Sequence, residues 1–498
     1  MHLNMHRALL LPEIVAAILR SEAATPGFIH TCLFINRLFS LEATRMLWKG
    51  CGDRYTNREG FVTPYVRHLV HITQRDPNRA QTYANCIQEL QFGHEGASRN
   101  FAEEARYHKD LAVLQFPNLL KVGFYGFEDA MPMNSGPAVL HYAQPLVTEF
   151  VLGNASQISD SFLDTLGVRC TTLKRFDLDE ITESSLTEDG VVRFIDNAHS
   201  LTALDIRLGR KSSGWTLNEF KATAKHLNLE LLIIPDIPDD WLEFLRRDSP
   251  IQPSFPKMLH FTTGTSDQAL QLLAPYMPTL ESLELKLQNL SPSHHILASA
   301  SLFTHLKSLE VNFGPNSSID ANDLVLLAKG CPQLIEFSVC KFEDENHRPS
   351  GRGITDNAIE EMAQHMQNIA KLYLAFDRSN MLSWQSILSL ARKCRNLRLL
   401  RLSCNFTWKE AMDNAQANAF PELRSLTLYL DEANRLSHLT DDGREEETIE
   451  AFAAKFTAFA PQLGSIYLEG KNTTDEALAD AIDVICSSRS IPGWSRIN

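Results

Sequence analysis

The chain has 498 residues, of which 44% are hydrophobic and 22% charged, a globular composition that argues against wholesale disorder. Acidic residues outnumber basic ones by 61 to 47, and the net charge of −14 disfavours a protein that binds along a nucleic-acid backbone. Nine cysteines without a C-x-x-C pair argue against a disulfide scaffold or a zinc module and fit a reducing compartment, the cytoplasm or the nucleus. No run of about 18 apolar residues occurs, so we expect no membrane span.

The first predicted elements are short helices in residues 1–52, which lack any repeat. A first helix begins near Leu11-Pro12, a break follows at residues 25–27, and a second apolar stretch ends at Trp48. A segment this short has a small core for its surface, so it needs support from a neighbour or a partner. Residues 53–84 carry two prolines and apolar residues at helical spacing, which predicts a helical connector.

A repeat runs through most of the remaining residues, 85–498. Its pattern is apolar-x-x-apolar-x-apolar, and this alternation predicts a short strand with one buried face. Clear copies begin at Leu173, Leu201, Leu280, Leu306, Leu334, Ile369, Leu397, Leu423 and Leu463, and weaker ones at Ile87, Leu119, Val147, Leu229 and Pro256.

Between the strand patterns, the apolar period becomes helical. Ile359, Met362, Ala363 and Met366 share one helix face behind a capping Thr355 or Asp356. One strand and one helix recur every 24–28 residues over much of the chain. Because one such unit cannot bury its apolar face alone, the spacing predicts a solenoid with a continuous core.

These repeats resemble the cysteine-containing subclass of leucine-rich repeats. The segment Ile354-Thr355-Asp356-x-x-Ile359-x-x-Met362-Ala363 carries the likeness, and so does Leu390-Ala391-x-x-Cys394-x-x-Leu397. The resemblance implies an α/β leucine-rich-repeat horseshoe with a C-terminal cap. Cys170, Cys331 and Cys394 occupy a position that holds Ala, Met or Phe in other repeats, which indicates packing and not ligation.

The N-terminal residues resemble an F-box, here a small all-α module that precedes the solenoid. The likeness lies in Leu11-Pro12, Ile14-Val15, Ile18-Leu19, Cys32 and Leu47-Trp48. The resemblance implies the substrate-recognition subunit of a Skp–cullin–F-box E3 ubiquitin ligase, which docks on the Skp adaptor of the cullin core while its repeats bind a target protein. The residues expected to contact or support the adaptor are Leu11, Pro12, Ile14, Ile18 and Trp48.

The positions between the apolar residues of each strand point away from the core, so we expect an exposed inner row along the repeats. Tyr and Arg, which are enriched at binding hot spots, occur late in this row. The candidate partner-binding residues of this concave face are Asp177, Asp205, Arg207, Glu284, Lys286, Lys371, Tyr373, Arg401, Tyr429 and Tyr467.

Motifs for catalysis and cofactor binding are absent from the sequence. It contains no G-x-G-x-x-G, no G-x-x-x-x-G-K-[ST], no H-E-x-x-H and no G-x-S-x-G, so we expect a non-catalytic chain without a cofactor or a metal. One alternative stays open, in which the N-terminal helices are only a cap and the repeats form a protein-binding scaffold independent of ubiquitin. The two readings differ in whether residues 1–52 expose an apolar face or bury it against the repeats.

Overall fold

The chain forms two compact units, Met1–Ile234 and Pro235–Asn498. The computed structural model describes residues 11–21, 26–52, 64–93, 101–125, 139–153, 158–181, 186–208, 214–244, 254–287, 295–314, 317–339, 348–351, 353–377, 382–404, 413–430 and 445–469.

The first unit contains the N-terminal helices, the connector and the first strands. Its described strands pair in parallel, each with the next one along the chain. They are β1 (Gly50–Gly52), β2 (Glu89–Phe92), β3 (Lys121–Phe124), β4 (Glu149–Gly153), β5 (Arg175–Ile181), β6 (Ala203–Leu208) and β7 (Leu231–Ile233). The helices are α1 (Pro12–Leu19), α2 (Pro26–Cys32), α3 (Arg37–Leu47), α4 (Val66–Arg75), α5 (Pro77–Ala84), α6 (Phe101–Leu111), α7 (Asp160–Arg169), α8 (Glu188–Asn197) and α9 (Leu217–Lys225).

The second unit repeats the same alternation of strand and helix. Its described strands also pair in parallel and in chain order. They are β8 (His260–Thr263), β9 (Ser282–Lys286), β10 (Ser308–Asn312), β11 (Glu336–Val339), β12 (Lys371–Leu374), β13 (Leu399–Cys404), β14 (Ser425–Leu430) and β15 (Ser465–Glu469). The helices are α10 (Asp267–Leu273), α11 (Ile296–Ala300), α12 (Ala321–Gly330), α13 (Asp356–His365), α14 (Trp384–Lys393) and α15 (Glu445–Phe459).

The apolar positions of the repeat pattern form the core of each unit. For example, Leu400 and Leu402 of β13 are fully buried, and so is Leu397, two residues before this strand. Parallel strands connected by helices place one strand face against those helices, which explains the period of two within the pattern. The prediction of repeating α/β units is therefore confirmed.

Among the described strands, β1 was not predicted from the sequence. Gly50–Gly52 forms β1 at the end of the N-terminal segment and pairs with β2, Cys51 lying opposite Leu90. The sequence Gly-Cys-Gly offers a single apolar side chain, so it lacks the alternation that indicates a strand. Next to β1, the Trp48 ring stacks on Tyr83 of α5 with a centroid distance of 4.5 Å.

Successive helices are linked through their N-termini. The carboxylate of Asp356, the first residue of α13, accepts hydrogen bonds from Ser383 N at 3.0 Å and from Ser383 Oγ at 2.7 Å. Ser383 is in turn the N-cap of α14. In the first unit, Asp160 of α7 accepts a bond from the backbone N–H of Thr187, the N-cap of α8, at 2.8 Å. The carboxylate of one helix thus positions the cap of the next.

The repeat cysteines pack between neighbouring repeats. The Cys331 thiol lies 3.3 Å from the carbonyl oxygen of Phe303, and the Cys394 thiol lies 3.6 Å from that of Met366, each in the repeat before. Burial raises the pKa of Cys170, Cys331 and Cys394 to about 12. These thiols are therefore protonated packing groups, as expected from the residues that replace them in other repeats.

Candidate protein-binding surfaces

The N-terminal helices enclose a small apolar core of their own. Packing of α1 and α2 against α3 buries six side chains. They are Val15, Leu19, Ile29, Cys32, Phe39 and Ala43. The cap of α3 is provided by Asn36, whose side chain accepts hydrogen bonds from the N–H groups of Leu38 and Phe39 at 2.8 and 3.0 Å. This core defines which side of each helix stays outside.

The outer side of α1 is apolar as well. Leu11 is 51% exposed and Ile14 is 39% exposed, while Pro12 is exposed and Ile18 is half-buried. Spacings of three and four residues place Leu11, Ile14 and Ile18 on one face of the helix. Four of the five predicted adaptor-binding residues therefore lie together, and Trp48 lies apart from them against Tyr83.

The turn between α2 and α3 carries further exposed apolar side chains. These residues were not among those predicted from the sequence. Phe34 is 87% exposed, Ile35 is 51% exposed, and Leu41 at the start of the second turn of α3 is 45% exposed. The cap at Asn36 fixes the chain direction at this turn and leaves Phe34 and Ile35 outside the core. In the sequence, two large apolar residues directly before an N-cap were the signal that could have indicated this exposed apolar site.

In the first unit, ion pairs within the predicted binding row bury its carboxylates. Asp177 and Asp205 were expected to be exposed, yet only 9% and 6% of their surfaces remain accessible. Arg175 contacts Asp177 at 2.7 Å and Arg207 contacts Asp205 at 2.9 Å, each from the same strand. Burial raises the pKa of Asp177, although the Arg175 guanidinium opposes that rise. Both carboxylates are covered because an arginine two residues away lies over each of them.

In the second unit, the first part of the row is also paired internally. Glu284 lies 3.5 Å from Lys286 and accepts a hydrogen bond from Thr262 at 3.2 Å. Lys371 on β12 forms an ion pair of 2.6 Å with Glu336 on β11. The bond from Thr262 and the ion pair of Lys371 join neighbouring strands, whereas Glu284 and Lys286 belong to the same strand.

The last strands of the second unit present aromatic and arginine side chains. Arg401 lies over the Tyr373 ring at 5.1 Å, and Tyr467 on β15 is 59% exposed. Tyr429 was expected in the exposed row but is 8% exposed, because the Arg348 guanidinium stacks on its ring at 4.1 Å. Long intervals between repeats in the sequence predict insertions at residues 341–353 and 431–447. Arg348 belongs to the first of them, and the second lies almost entirely outside the described residues.

The described residues contain no group of three or more His, Cys, Asp or Glu side chains arranged to hold a metal ion. Among the described helices, none combines the length and the apolar character needed to cross a membrane. The seven cysteines within the described ranges are free thiols.

Comparison with known proteins gives a distant structural likeness and no sequence relative. No protein-family model matches this chain, and no curated protein matches it. A chain in the crystal structure of the yeast Rad7 and Elc1 complex is 16% identical to it, with 82% of this chain and 94% of that chain covered and a TM-score of 0.41. Identity and TM-score are both too low for this likeness to support a function.

Proposed function

We propose that this chain is the substrate-recognition subunit of a Skp–cullin–F-box ubiquitin ligase. Residues 1–52 would be the F-box that docks the Skp adaptor, and the repeats would bind a target protein. The observation that carries the proposal is the exposed apolar surface of a module that already has its own core, formed by Leu11, Ile14, Phe34, Ile35 and Leu41.

An exposed set of this kind favours a partner over a cap. Fully burying one Leu, Ile or Phe side chain contributes about 1.5–3 kcal/mol, so leaving several half-exposed forgoes several kcal/mol in the free chain. A helical cap would turn these side chains toward the repeats, as α4 does with Val66, Leu69 and Val70, each at most 4% exposed. Several large apolar side chains left exposed on a small domain are typical of a protein-binding site.

The proposed role requires no catalytic residue in this chain. Its contribution would be proximity, because holding a target beside a transferase raises the local concentration of the target. A fixed distance between the bound target and the transferase requires a rigid connection between the N-terminal module and the repeats. The stack of Trp48 on Tyr83 connects the module to the connector, and the β1–β2 pairing connects it to the first repeat. The cytoplasm and the nucleus are the compartments that this role requires.

The test is co-purification of the full chain with a Skp adaptor, using wild type and a Leu11→Asp, Ile14→Asp variant. Leu11 is the N-cap of α1 and Ile14 its third residue, where Asp is favourable for capping and for the helix dipole. The variant therefore keeps α1 intact while it places two charges on the proposed interface. Val168→Asp, at a side chain of the same unit that is 77% exposed, is the matched control.

We expect a one-to-one complex for wild type and for Val168→Asp, and none for the double variant. A second candidate, a repeat scaffold independent of ubiquitin, is favoured by β1, since that strand makes the end of the N-terminal segment part of the repeat sheet. If folded wild-type protein fails to bind the adaptor, the helices are a cap and the scaffold replaces our proposal.

A further inference from the structure

The outward side of the second unit is divided by charge. Three positions are compared in each repeat: the residue before the strand, the first residue of the strand and the third residue of the strand. The strand registers align each of these positions with the same position of the next strand, so each forms a row across the sheet. In β8–β11, these positions hold four carboxylates and one lysine, Lys307. The carboxylates belong to Glu281, Glu284, Glu310 and Glu336.

In β12–β15, the same three positions reverse the charge. They hold four cations and no carboxylate, and every residue at these positions lies within the described ranges. The cations are Lys371, Arg398, Arg401 and Arg424. Tyr373 and Tyr467 occupy the third position of β12 and β15, so both tyrosines share a row with Arg401.

The arginines are neighbours in space. Arg424 N donates a hydrogen bond to Arg398 O at 2.8 Å, which places these two exposed side chains on adjacent strands. Lys371 is paired with Glu336 at the border of this region, so its positive charge comes from Arg398, Arg401 and Arg424, in a chain whose net charge is −14.

We propose that this region binds an acidic, extended segment of the target protein. The inference rests on the proposed function and specifies the chemistry of its substrate. We name the region the arginine–tyrosine surface, formed by Lys371, Tyr373, Arg398, Arg401, Arg424 and Tyr467.

The side chains fit such a partner in two ways. Arginine guanidinium groups hold carboxylates through paired, charge-assisted hydrogen bonds, and exposed tyrosines provide contact area at a small loss of conformational entropy. Three strand intervals of about 4.8 Å span about 14 Å, which matches about four residues of an extended chain. In β8–β11, Glu281, Glu284 and Glu336 are each paired with a lysine, so that half of the row offers an acidic segment no comparable group of arginines.

The test uses the full chain and a fluorescein-labelled peptide of alternating Glu and Ala, about eight residues long to cover the span with its flanks. Fluorescence anisotropy gives the Kd of this peptide for three proteins. They are wild type, the double variant with Arg398→Glu and Arg424→Glu, and a control double variant with Arg392→Glu and Lys393→Glu. The control makes the same change in charge at two exposed residues in the last turn of α14. The same peptide with Gln in place of Glu, and a poly-uridine oligonucleotide, are the competing probes.

We expect Arg398→Glu, Arg424→Glu to weaken acidic-peptide binding by about tenfold or more, the control to change it by less than about twofold, and added salt to weaken it in wild type. Equal losses in both variants, equal binding of the Gln peptide, tighter binding of poly-uridine, or no binding by folded wild type would each overturn the inference.

Adaptor co-purification on the same preparations separates this inference from the proposed function. Peptide binding without adaptor binding defeats the proposed function and leaves the arginine–tyrosine surface standing. Adaptor binding with no selective peptide binding defeats only the inference. Circular dichroism of each variant verifies folding, and Arg398→Gln, Arg424→Gln provides a milder pair whose loss of affinity should be smaller but in the same direction.

Discussion

Acid should destabilise the first unit through one buried histidine. The His108 ring on α6 is 3% exposed and packs against Phe92 at 4.6 Å, Phe124 at 5.8 Å and Tyr142 at 5.7 Å between ring centroids. Its Nδ1 shares a hydrogen bond of 3.2 Å with the Tyr142 hydroxyl. Burial, with a smaller effect from His141, lowers the pKa of His108 to about 4.

The size and direction of the effect follow from this pKa. In the unfolded chain a histidine titrates near 6.5, so below that pH the unfolded state binds a proton that the folded state does not. The stabilisation is complete above pH ~6.5 and is lost as the pH falls to about 4. A pKa difference of about 2.5, at about 1.4 kcal/mol for each unit, predicts a loss of about 3 kcal/mol from this residue.

A double variant isolates the histidine from other acid-sensitive groups. His108→Phe alone would leave the buried Tyr142 hydroxyl without this partner, whereas His108→Phe, Tyr142→Phe removes both partners of the hydrogen bond and should cost less. Urea unfolding at pH 7 and pH 4 measures the free energy of unfolding, and hydrogen exchange of β2–β4 amides localises the change. We expect wild type to lose about 3 kcal/mol more than the double variant over this range. An equal loss in the two proteins would refute the reasoning.

Three further outcomes are expected. Asp356→Ala should lower the free energy of unfolding by about 2–3 kcal/mol in urea titrations, because Ser383 loses a charged acceptor for two hydrogen bonds, and an unchanged midpoint would contradict this linkage. Asp177→Asn should have a Tm at pH 7 equal to or above that of wild type, because the raised pKa of Asp177 means that ionisation of this carboxyl opposes folding. The Tm difference should shrink toward pH 4, and a difference that grows in acid would contradict this prediction. Cys394 should resist iodoacetamide in the native protein at pH 8 while the half-buried Cys86 reacts, as read by peptide mass spectrometry, and comparable labelling would show that the repeat opens.

The repeat pattern predicted the strands because it encodes burial directly. Leu400 and Leu402 alternate with polar residues and turn inward, and no long-range contact has to be known to place β13. The same reasoning fails at β1, where pairing with β2 decides the conformation and Cys51 is the sole apolar side chain. Local pattern thus gives the elements, while long-range pairing decides the exceptions.

The candidate binding surfaces were harder to predict than the strands. Alternation correctly puts Asp177 on the outward side of the sheet, but its exposure depends on whether Arg175 folds over it. Tyr429 is covered by Arg348 from a predicted insertion about 80 residues away, a contact that no local pattern contains. In contrast, Tyr467 is exposed as expected, because none of these covering contacts reaches it. Whether an outward-facing side chain is exposed depends on which other side chains cover it, whereas the position of most strands follows from the local sequence pattern.

Pairing of each strand with the one directly before it bears on how the protein is made. As the nascent chain leaves the ribosome, each new strand within a unit finds its neighbour already synthesised, about one repeat earlier. None of the described strands has to wait for a distant part of its unit, so each unit can fold in the order of translation with little time for exposed edges to misassociate. The growing edge is always a single strand, and every added repeat covers the one exposed before it.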